Sequence, residues 1–244
     1  MLHYRSFGEG KTLVFLHGFL ESSNMWSHLD LNALHAHCVL IDLPGHGQSP
    51  LSDKAEIPSI SFMAEKVVEV LTSLHISQFT LVGHSLGAYV GLEVGQLLPF
   101  QKLIFLNSNC WNDDEQKRRD RLRVADLAYS AKKHFIREAI PALFGRPKDF
   151  QTEIKELVSE ANHMTADAIA YAALAMRERK DFTEEVLANP SNYVFIHGIL
   201  DTLVSREQLI SRLPDVRIHV LPNAGHMSHM ESPGKIFELL LEEG

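Results

Sequence analysis

The amino-acid sequence predicts an α/β protein with a doubly wound, mostly parallel sheet and an inserted helical cap. Short runs rich in Val, Ile, Leu and Phe alternate with longer helical patterns. Near-continuous apolarity over five or six residues is typical of parallel strands that are covered on both faces. The alternation stops once, between residues 112 and 185, where no strand is evident and the composition favours helices. These observations predict one sheet with one insertion.

Six segments have the length and composition of buried strands. They are Thr12–Leu16, Cys38–Asp42, Phe79–Val82, Lys102–Leu106, Tyr193–Ile196 and Val216–Leu221. The segments that favour helices are Trp26–Ala36, Ile60–Leu74, Leu86–Leu97, Arg206–Leu213 and Pro233–Leu241. We therefore expect a core domain of residues 1–111 and 186–244, with residues 112–185 folded as a cap over the carboxyl edge of the sheet.

Composition and charge disfavour several classes of protein. The chain of 244 residues is 45% apolar and 22% charged, as in soluble globular proteins. Its net charge of −8 disfavours a nucleic-acid partner, because phosphate binding needs a basic surface. No run approaches the roughly 18 apolar residues of a membrane span. With Cys38 and Cys110 interpreted as reduced thiols, we expect a cytoplasmic protein without a membrane partner; the oligomeric state stays open.

A five-residue motif follows the third predicted strand. Gly83-His84-Ser85-Leu86-Gly87 fits the pattern G-x-S-x-G, in which a serine lies on a sharp turn between a strand and a helix. Glycines at both ends leave room for the neighbouring strand and helix, and the turn exposes the serine hydroxyl at the helix N-terminus. The motif predicts Ser85 as a nucleophile rather than as an incidental turn residue.

A serine hydroxyl needs a general base before it can attack a substrate. His226 is the candidate base, because it follows the last predicted strand and so lies at the same carboxyl edge of the sheet as Ser85. His229 is three residues further on, and the H-x-x-H spacing also occurs in metal sites. Because no matching set of Cys or carboxylate ligands accompanies these histidines, we predict no metal.

The base in turn needs a carboxylate to orient it. Asp201 lies between the predicted nucleophile and base in the chain and follows the strand Tyr193–Ile196, again at the carboxyl edge. It could instead cap the following helix, but Ser205 suits that position better. Asp113 and Asp114, which follow the preceding strand, are the alternative acids.

Two main-chain N–H groups should meet the oxyanion of a tetrahedral intermediate. The candidate donors are Leu86, directly after the nucleophile, and Phe19, in the loop after the first predicted strand. The Phe19 ring is also a candidate for the substrate pocket, together with Tyr89 and with Trp111, which lies where the sheet joins the cap. Trp26 is a weaker candidate for the pocket.

Three further polar residues are interpreted as structural. Asp42 closes its strand, and we expect it to hold the Pro44–Gly47 loop. We interpret His17 and His46 as buried hydrogen-bonding residues rather than as catalysts.

In their order along the chain, these motifs resemble the α/β-hydrolase superfamily. The resemblance rests on His17-Gly18-Phe19, Asp42 with the P-G-H-G turn, the G-H-S-L-G motif, His197-Gly198 with Asp201, and Gly225-His226 followed by Glu231 and Pro233. It implies a Ser–His–Asp triad, here Ser85, His226 and Asp201. It also implies a cap inserted after the sixth strand of the standard numbering, and no cofactor.

The motifs predict the reaction less specifically than the fold, because members of this superfamily catalyse many different reactions. Serine at the turn disfavours haloalkane dehalogenases, which carry Asp there. The segments FLHGFLESSNMW and LPGHGQS resemble the menaquinone-pathway lyase subgroup, which eliminates pyruvate and carries an Arg four residues after the nucleophile to hold substrate carboxylates. This chain has Tyr89 at that position.

We therefore predict a carboxylesterase that acts on small, mostly uncharged acyl esters through an acyl-enzyme. Carbon–carbon bond hydrolysis or lyase chemistry is the alternative reaction. An alternative of another class is a small-molecule receptor or signalling protein with slow turnover.

Overall fold

Seven strands form one sheet at the centre of the protein. The structure is a computed structural model, and it describes residues 1–52 and 57–244. The strands are β1 (Tyr4–Phe7), β2 (Thr12–Leu16), β3 (His37–Ile41), β4 (Thr80–His84), β5 (Lys102–Leu106), β6 (Tyr193–Gly198) and β7 (Arg217–Leu221). Their order is β1-β3-β2-β4-β5-β6-β7, and every neighbouring pair except β1 and β3 is parallel. The predicted fold class is confirmed.

The six predicted strands are all present, with ends that differ by at most two residues. Strand β1 lies outside that prediction. It is an edge strand of four residues that pairs antiparallel with β3, and all its side chains are exposed or partly exposed. Because an exposed edge strand has no continuous apolar run, its sequence lacks the signal of a buried parallel strand.

Helices cover both faces of the sheet. The α-helices of the described residues are α1 (Ile60–Ser73), α2 (Leu86–Leu97), α3 (Glu115–Ser130), α4 (Lys132–Ala139), α5 (Gln151–Ala161), α6 (Ala166–Arg177), α7 (Thr183–Ala188), α8 (Arg206–Arg212), α9 (Ser228–Glu231) and α10 (Pro233–Glu243). Along β2, Val14 and Leu16 point into one buried layer, with α1 and α2, while Leu13 and Phe15 point into the other, with α10. This alternation is what a sheet covered on both faces requires.

The predicted helix Trp26–Ala36 is wrong. The chain instead forms two short 3-10 helices, Ser23–His28 and Leu31–Leu34. Their apolar side chains are buried in the same layer as α10, so the apolar spacing reflects burial rather than one continuous helix. The first turn is held from outside, because the main-chain N–H of Ser23 donates to the Asp42 carboxylate at 2.7 Å.

Between β5 and β6 the chain leaves the sheet and forms α3 to α7. Helix α3 begins after Asp114, whose carboxylate accepts a hydrogen bond from the N–H of Lys117 at 2.8 Å. Helices α3 and α6 pack against each other along their length. The 3-10 turns Pro141–Leu143 and Pro147–Asp149 connect α4 to α5. We call residues 112–188 the insertion.

The C-terminal helix is tied to the sheet by the buried carboxylate of Glu243. It lies 3.0 Å from Lys102 Nζ, 2.6 Å from Arg217 Nη1 and 3.0 Å from His219 Nε2. Burial would raise the pKa of this carboxyl, but hydrogen bonds from the three basic side chains outweigh burial and lower the pKa to about 2. Glu243 therefore stays ionised in the folded protein.

Cys38 and Cys110 are both buried and free of a disulfide, in agreement with their interpretation as thiols. In residues 1–52 and 57–244, no helix combines the length and apolarity that crossing a membrane requires.

Candidate active site

Ser85 lies on the sharp turn between β4 and α2. Its backbone has φ +48° and ψ −112°, a conformation that residues with a side chain rarely adopt. A Cβ added at Gly83 would lie 2.5 Å from the main chain of Ala88, and one added at Gly87 would lie 2.2 Å from the carbonyl oxygen of Leu16. The turn therefore requires glycine on both sides of the serine.

His226 and Asp201 contact each other at the carboxyl edge of the sheet. The distance from His226 Nδ1 to Asp201 Oδ2 is 2.9 Å, and Asp201 Oδ1 accepts hydrogen bonds from the N–H groups of Leu203 and Val204 at 2.8 and 3.2 Å. Burial would raise the pKa of Asp201. The attraction of His226 and hydrogen bonds from His226 and Asn107 outweigh burial and hold the pKa well below its ordinary value. Asp201 is therefore an ionised acceptor for the Nδ1 proton of His226.

The two alternative acids have other partners. Asp113 is buried and lies 3.1 Å from Arg121 Nε and 2.7 Å from Arg179 Nη1, in a cluster of ion pairs. Asp114 is exposed and caps α3. Of the three candidate acids, Asp201 is the one bonded to His226.

A cavity of about 410 Å³ extends from Ser85 and His226 to the insertion. Most of its wall is apolar and is formed by Val124, Phe135, Ala139, Ala142, Leu143, Met176, Leu203 and Val204. The charged side chains of Lys117, Asp120 and Arg121 on α3 also line it. Both cations have partners, because Lys117 Nζ donates to a main-chain carbonyl oxygen at 3.2 Å and Arg121 pairs with an acid.

Two of the three aromatic residues predicted for the pocket line this cavity. They are Phe19 and Tyr89, and the guanidinium of Arg179 lies 4.2 Å from the centre of the Tyr89 ring. Trp111 is outside the lining of this cavity in the described part of the chain. It is buried in the layer that contains α1 and α2, and the guanidinium of Arg212 lies 4.7 Å from the centre of its ring.

His17 and His46 hold the loops beside the cavity. His17 Nε2 accepts a hydrogen bond from the N–H of Leu43 at 2.9 Å, and its Nδ1 donates to the carbonyl oxygen of Gly18 at 2.8 Å. His46 Nδ1 donates to the carbonyl oxygen of Pro44 at 3.0 Å. Burial lowers the pKa of both rings, that of His46 to about 3. Both are neutral structural groups, in agreement with their interpretation.

Asp42 and Trp26 also have structural positions. The Asp42 carboxylate accepts hydrogen bonds from the N–H groups of Gln48 at 2.9 Å and Ser23 at 2.7 Å, so it holds the loop after β3. Trp26 is fully buried, with its ring centre 5.2 Å from that of Phe15, and it is outside the lining of the cavity in the described part of the chain.

Comparison with known proteins identifies the family. The sequence model of the alpha/beta hydrolase family matches residues 13–239, a span that contains Ser85, Asp201 and His226. The chain belongs to the alpha/beta hydrolase family. The fold expected from the motifs is therefore confirmed.

Relatives of this alpha/beta hydrolase have different activities in their names. A 2-succinyl-6-hydroxy-2,4-cyclohexadiene-1-carboxylate synthase from Enterobacter sp. (strain 638) is 26% identical, with 94% of this chain and 90% of the relative covered. A pimeloyl-[acyl-carrier protein] methyl ester esterase from Nitrosospira multiformis is 26% identical, with 96% and 94% covered. The chain spans 64% of the dihydrolipoyllysine-residue acetyltransferase component of an acetoin cleaving system from Pseudomonas putida, at 27% identity and with 96% of this chain covered.

A solved structure of a thermophilic esterase from Thermogutta terrifontis has the same fold as this alpha/beta hydrolase. The two superpose with a TM-score of 0.89 at 23% identity, and the match covers 99% of this chain and 92% of the other. At this identity the likeness is one of fold.

In this alpha/beta hydrolase, Asn107 contacts Asp201, although Asn107 belongs to none of the sequence motifs. Its Nδ2 donates to Asp201 Oδ2 at 3.0 Å and to the carbonyl oxygen of Gly225 at 2.9 Å, and its Oδ1 accepts from Ser228 Oγ. Asn107 directly follows β5 and has φ +47°, which asparagine tolerates better than most residues. Its place at the carboxyl end of a strand is the one signal that could have indicated it.

A buried pair, Glu21 and His84, also lies outside the sequence predictions. Glu21 Oε2 accepts from the N–H of Gly18 at 2.6 Å and lies 2.9 Å from His84 Nδ1, while His84 Nε2 lies 2.9 Å from the carbonyl oxygen of His226. Burial opposes both charges, but the mutual attraction is stronger: it lowers the pKa of Glu21 to about 2 and raises that of His84. His84 occupies a variable position of the G-x-S-x-G motif, so the motif does not predict this contact.

Proposed function

We propose that this protein is a serine hydrolase that cleaves small, mostly uncharged carboxylic esters, with Ser85 as nucleophile, His226 as base and Asp201 as orienting acid. The proposal is carried by the 2.9 Å contact between His226 Nδ1 and Asp201 Oδ2, beside a serine that lines the same cavity as His226. A carboxylate at Nδ1 keeps the proton on that nitrogen and leaves Nε2 as the acceptor for the serine proton.

The first half of the proposed reaction acylates the enzyme. Ser85 Oγ attacks the ester carbonyl carbon while His226 Nε2 takes the serine proton, and Asp201 stabilises the imidazolium that forms. The tetrahedral intermediate collapses when the bond to the alcohol oxygen breaks and His226 returns the proton to that oxygen. The products of this half are the free alcohol and an acyl ester of Ser85.

The second half releases the acid. His226 takes a proton from water, the resulting hydroxide attacks the acyl carbon, and the serine oxygen leaves with the proton from His226. In both halves the oxyanion would be held by the N–H groups of Phe19 and Leu86. Leu86 supports this assignment, because it is the first residue of α2 and such an N–H has no acceptor within its own helix.

The cavity supports a small acyl group as the substrate class. A volume of about 410 Å³ is at the lower end for small-molecule sites, and its apolar walls favour an uncharged chain. The two cations of α3 that reach the cavity already have acceptors, since Lys117 is bonded to the carbonyl oxygen of Leu203 and Arg121 to Asp113. A charged acyl group would compete with these partners.

Carbon–carbon bond hydrolysis or lyase chemistry is the second candidate function. The observation in its favour is the relative named as a 2-succinyl-6-hydroxy-2,4-cyclohexadiene-1-carboxylate synthase. Against it stands Tyr89, four residues after Ser85, in place of the Arg of the lyase subgroup. Arg179 stacks on the Tyr89 ring but is paired with Asp113 and donates to the Trp111 carbonyl oxygen at 2.9 Å. This guanidinium is engaged by the protein itself.

Turnover of p-nitrophenyl acetate and butyrate tests the proposal. We expect the wild-type rate to exceed that of Ser85→Ala by far more than tenfold, because removing the nucleophile of a triad costs orders of magnitude. Ser211→Ala, which removes an exposed hydroxyl on α8, is the matched control and should keep the wild-type rate. A wild-type rate within tenfold of Ser85→Ala would refute the esterase. A tight small-molecule complex with negligible turnover would favour the receptor instead.

Covalent labelling gives an independent test of the nucleophile. Phenylmethylsulfonyl fluoride should add to one residue, and a peptide map should place the adduct on Ser85. An adduct on another residue would overturn the assignment.

A further inference from the structure

We propose that Glu21 and His84 form a buried ion pair that holds the main chain of His226 and so positions its imidazole toward Ser85. This inference rests on the proposed function, because it concerns the histidine that acts there as base. Both residues belong to the lining of the cavity, but in this role they act through His226, as positioning residues.

The geometry links three loops through one carboxylate. Glu21, after β2, accepts at Oε2 from the N–H of Gly18 and from His84 Nδ1, at 2.6 and 2.9 Å. His84, at the end of β4, reaches with Nε2 to the carbonyl oxygen of His226, after β7, at 2.9 Å. The loop with the candidate oxyanion donor, the serine turn and the histidine loop are therefore joined by consecutive hydrogen bonds.

The direction of these hydrogen bonds requires a charged ring when Glu21 is ionised. A carbonyl oxygen only accepts, so His84 Nε2 must donate to His226, and an ionised carboxylate only accepts, so Nδ1 must donate to Glu21. An imidazole that donates from both nitrogens is protonated. Since the Glu21 and His84 side chains are 3% and 1% exposed, water screens this pair little, and charge-assisted hydrogen bonds are the stronger kind.

The other titratable groups around the pair are either neutral or hydrogen-bonded to another residue. The titratable groups that face the pair are His17, Asp201, His226 and His229. Burial lowers the pKa of His17, and it lowers that of His229 to well below its ordinary value, so both are neutral. Asp201 is paired with His226. Glu21 is thus the direct counter-ion of His84.

Both polar main-chain atoms of His226 are held in this arrangement. Its N–H donates to the carbonyl oxygen of Leu143 in the insertion at 2.8 Å, and its carbonyl oxygen accepts from His84. A histidine held at both main-chain atoms and at Nδ1 has little freedom to move Nε2 away from the serine. Removing the His84 contact should therefore lower the rate of the chemical step rather than substrate binding.

Two variants separate the effect of the charge on His84 from the effect of the link, which is the hydrogen bond between His84 Nε2 and the His226 carbonyl oxygen. In Glu21→Gln, an NH₂ group in the place of Oε2 can donate to His84 Nδ1, and the N–H of Gly18 then loses this acceptor. The ring is then neutral, but its Nε2 still donates to His226, so the link remains without the charge. In Glu21→Gln/His84→Phe the link is absent, and no buried carboxylate is left unpaired. The single variant is thus the matched control for the double variant.

Nuclear magnetic resonance tests the ion pair without any need for turnover. With histidines labelled at Cε1, we expect His84 to titrate above its ordinary pKa of 6.5 in the wild-type protein and at a lower pH in Glu21→Gln. A wild-type titration at or below 6.5 would overturn the ion pair. The downfield proton of His226 Nδ1 should persist in Glu21→Gln and be lost in the double variant. Its equal persistence in both would overturn the positioning role.

Kinetics with p-nitrophenyl butyrate complete the test. We expect kcat to fall on the order of tenfold to a hundredfold from the single to the double variant, with KM within about twofold. Equal kcat values would contradict the proposal. If the wild-type protein shows no turnover that depends on Ser85, the proposed function fails, while the two resonance measurements still decide the pair. Should the double variant not fold, Glu21→Gln/His84→Asn replaces it, because the shorter amide does not reach the His226 carbonyl oxygen.

Discussion

Replacing Asp201 with Asn changes one atom of the proposed triad and tests its direction of proton transfer. Asp201 accepts four hydrogen bonds: Oδ1 from the N–H groups of Leu203 and Val204, and Oδ2 from His226 Nδ1 and Asn107 Nδ2. An asparagine has one carbonyl oxygen and one NH₂ group. It must therefore present a donor to one of these two pairs of donors.

The hydrogen bonds decide which orientation the asparagine takes. If its NH₂ group faced Leu203 and Val204, two main-chain donors would lose their acceptor, at about 1–3 kcal/mol each. If it faces His226 and Asn107, only the Asn107 donor is in conflict, because His226 can move its proton from Nδ1 to Nε2. The second orientation is favoured, and in it Nε2 carries a proton and no longer accepts the one from Ser85.

The expected loss is therefore one of catalysis. By the precedent of serine proteases, kcat falls by about 10⁴-fold, which corresponds to roughly 5.4 kcal/mol at about 1.36 kcal/mol per factor of ten. KM should stay within a few fold, since the cavity wall does not include Asp201. The lost hydrogen bond to Asn107 should also lower the free energy of unfolding by about 1–3 kcal/mol.

The assay is steady-state hydrolysis of p-nitrophenyl butyrate, with urea denaturation as the measure of folding. Asp114→Asn is the matched control: it is the same substitution at an exposed helix cap, where Asn serves as well as Asp, and it should keep the wild-type kcat. A loss in Asp201→Asn of only a few fold, with the protein folded, would refute the assignment. It would return Asp113 and Asp114 as candidate acids.

Three further predictions concern stability and can be measured by urea denaturation. Gly87→Ala should destabilise the protein by about 1–3 kcal/mol or more, because its Cβ would lie 2.2 Å from the Leu16 carbonyl oxygen. The control Gly234→Ala, whose Cβ would have nothing within 4 Å, should be neutral or stabilising. Equal effects of the two substitutions on the free energy of unfolding would contradict this prediction. Glu243→Gln should make the free energy of unfolding depend less on pH in acid. The pKa of Glu243 in the folded protein, about 2, lies below the ordinary 4.5. The stabilisation by the ionised carboxylate is therefore present above pH 4.5 and is lost as the pH falls toward 2. An equal slope of the free energy of unfolding against pH in the wild-type protein and the variant, between pH 4.5 and 2, would refute this prediction. Asn107→Ala should cost about 1 kcal/mol more than Asn107→Gly, since φ is +47° there, and no difference would contradict a backbone cost.

The convergence of the three proposed triad residues could be predicted because it depends on local signals. Ser85, Asp201 and His226 each follow a parallel strand, and the carboxyl ends of parallel strands lie at one edge of the sheet. The glycine spacing around the serine indicates the turn, because the turn leaves no room for a Cβ. Chain order along a parallel sheet is thus enough to place these side chains near one another.

Local signals fail where a side chain's partner comes from a distant part of the chain. The apolar spacing of Trp26–Ala36 is compatible with a helix, yet bonds to the loop after β3 hold the segment as two 3-10 turns. Trp111 follows β5 like a pocket residue, but its ring is buried with α1 and α2 and carries Arg212. In both cases the apolar composition indicates that the side chains are buried, but it does not indicate which part of the protein they contact.

The amino-acid sequence by itself determined the fold class, the strained serine turn and the order of the serine, the acid and the histidine, because each is written in the periodicity and spacing of neighbouring residues. The tertiary structure alone decided which acid contacts His226, how Asn107 supports that acid, and that Glu21 pairs with His84. The physical reason is desolvation. A buried polar group must find its hydrogen-bond partner wherever the fold brings one, and here the partners are 63 to 142 positions apart in the chain for the bonds of His84.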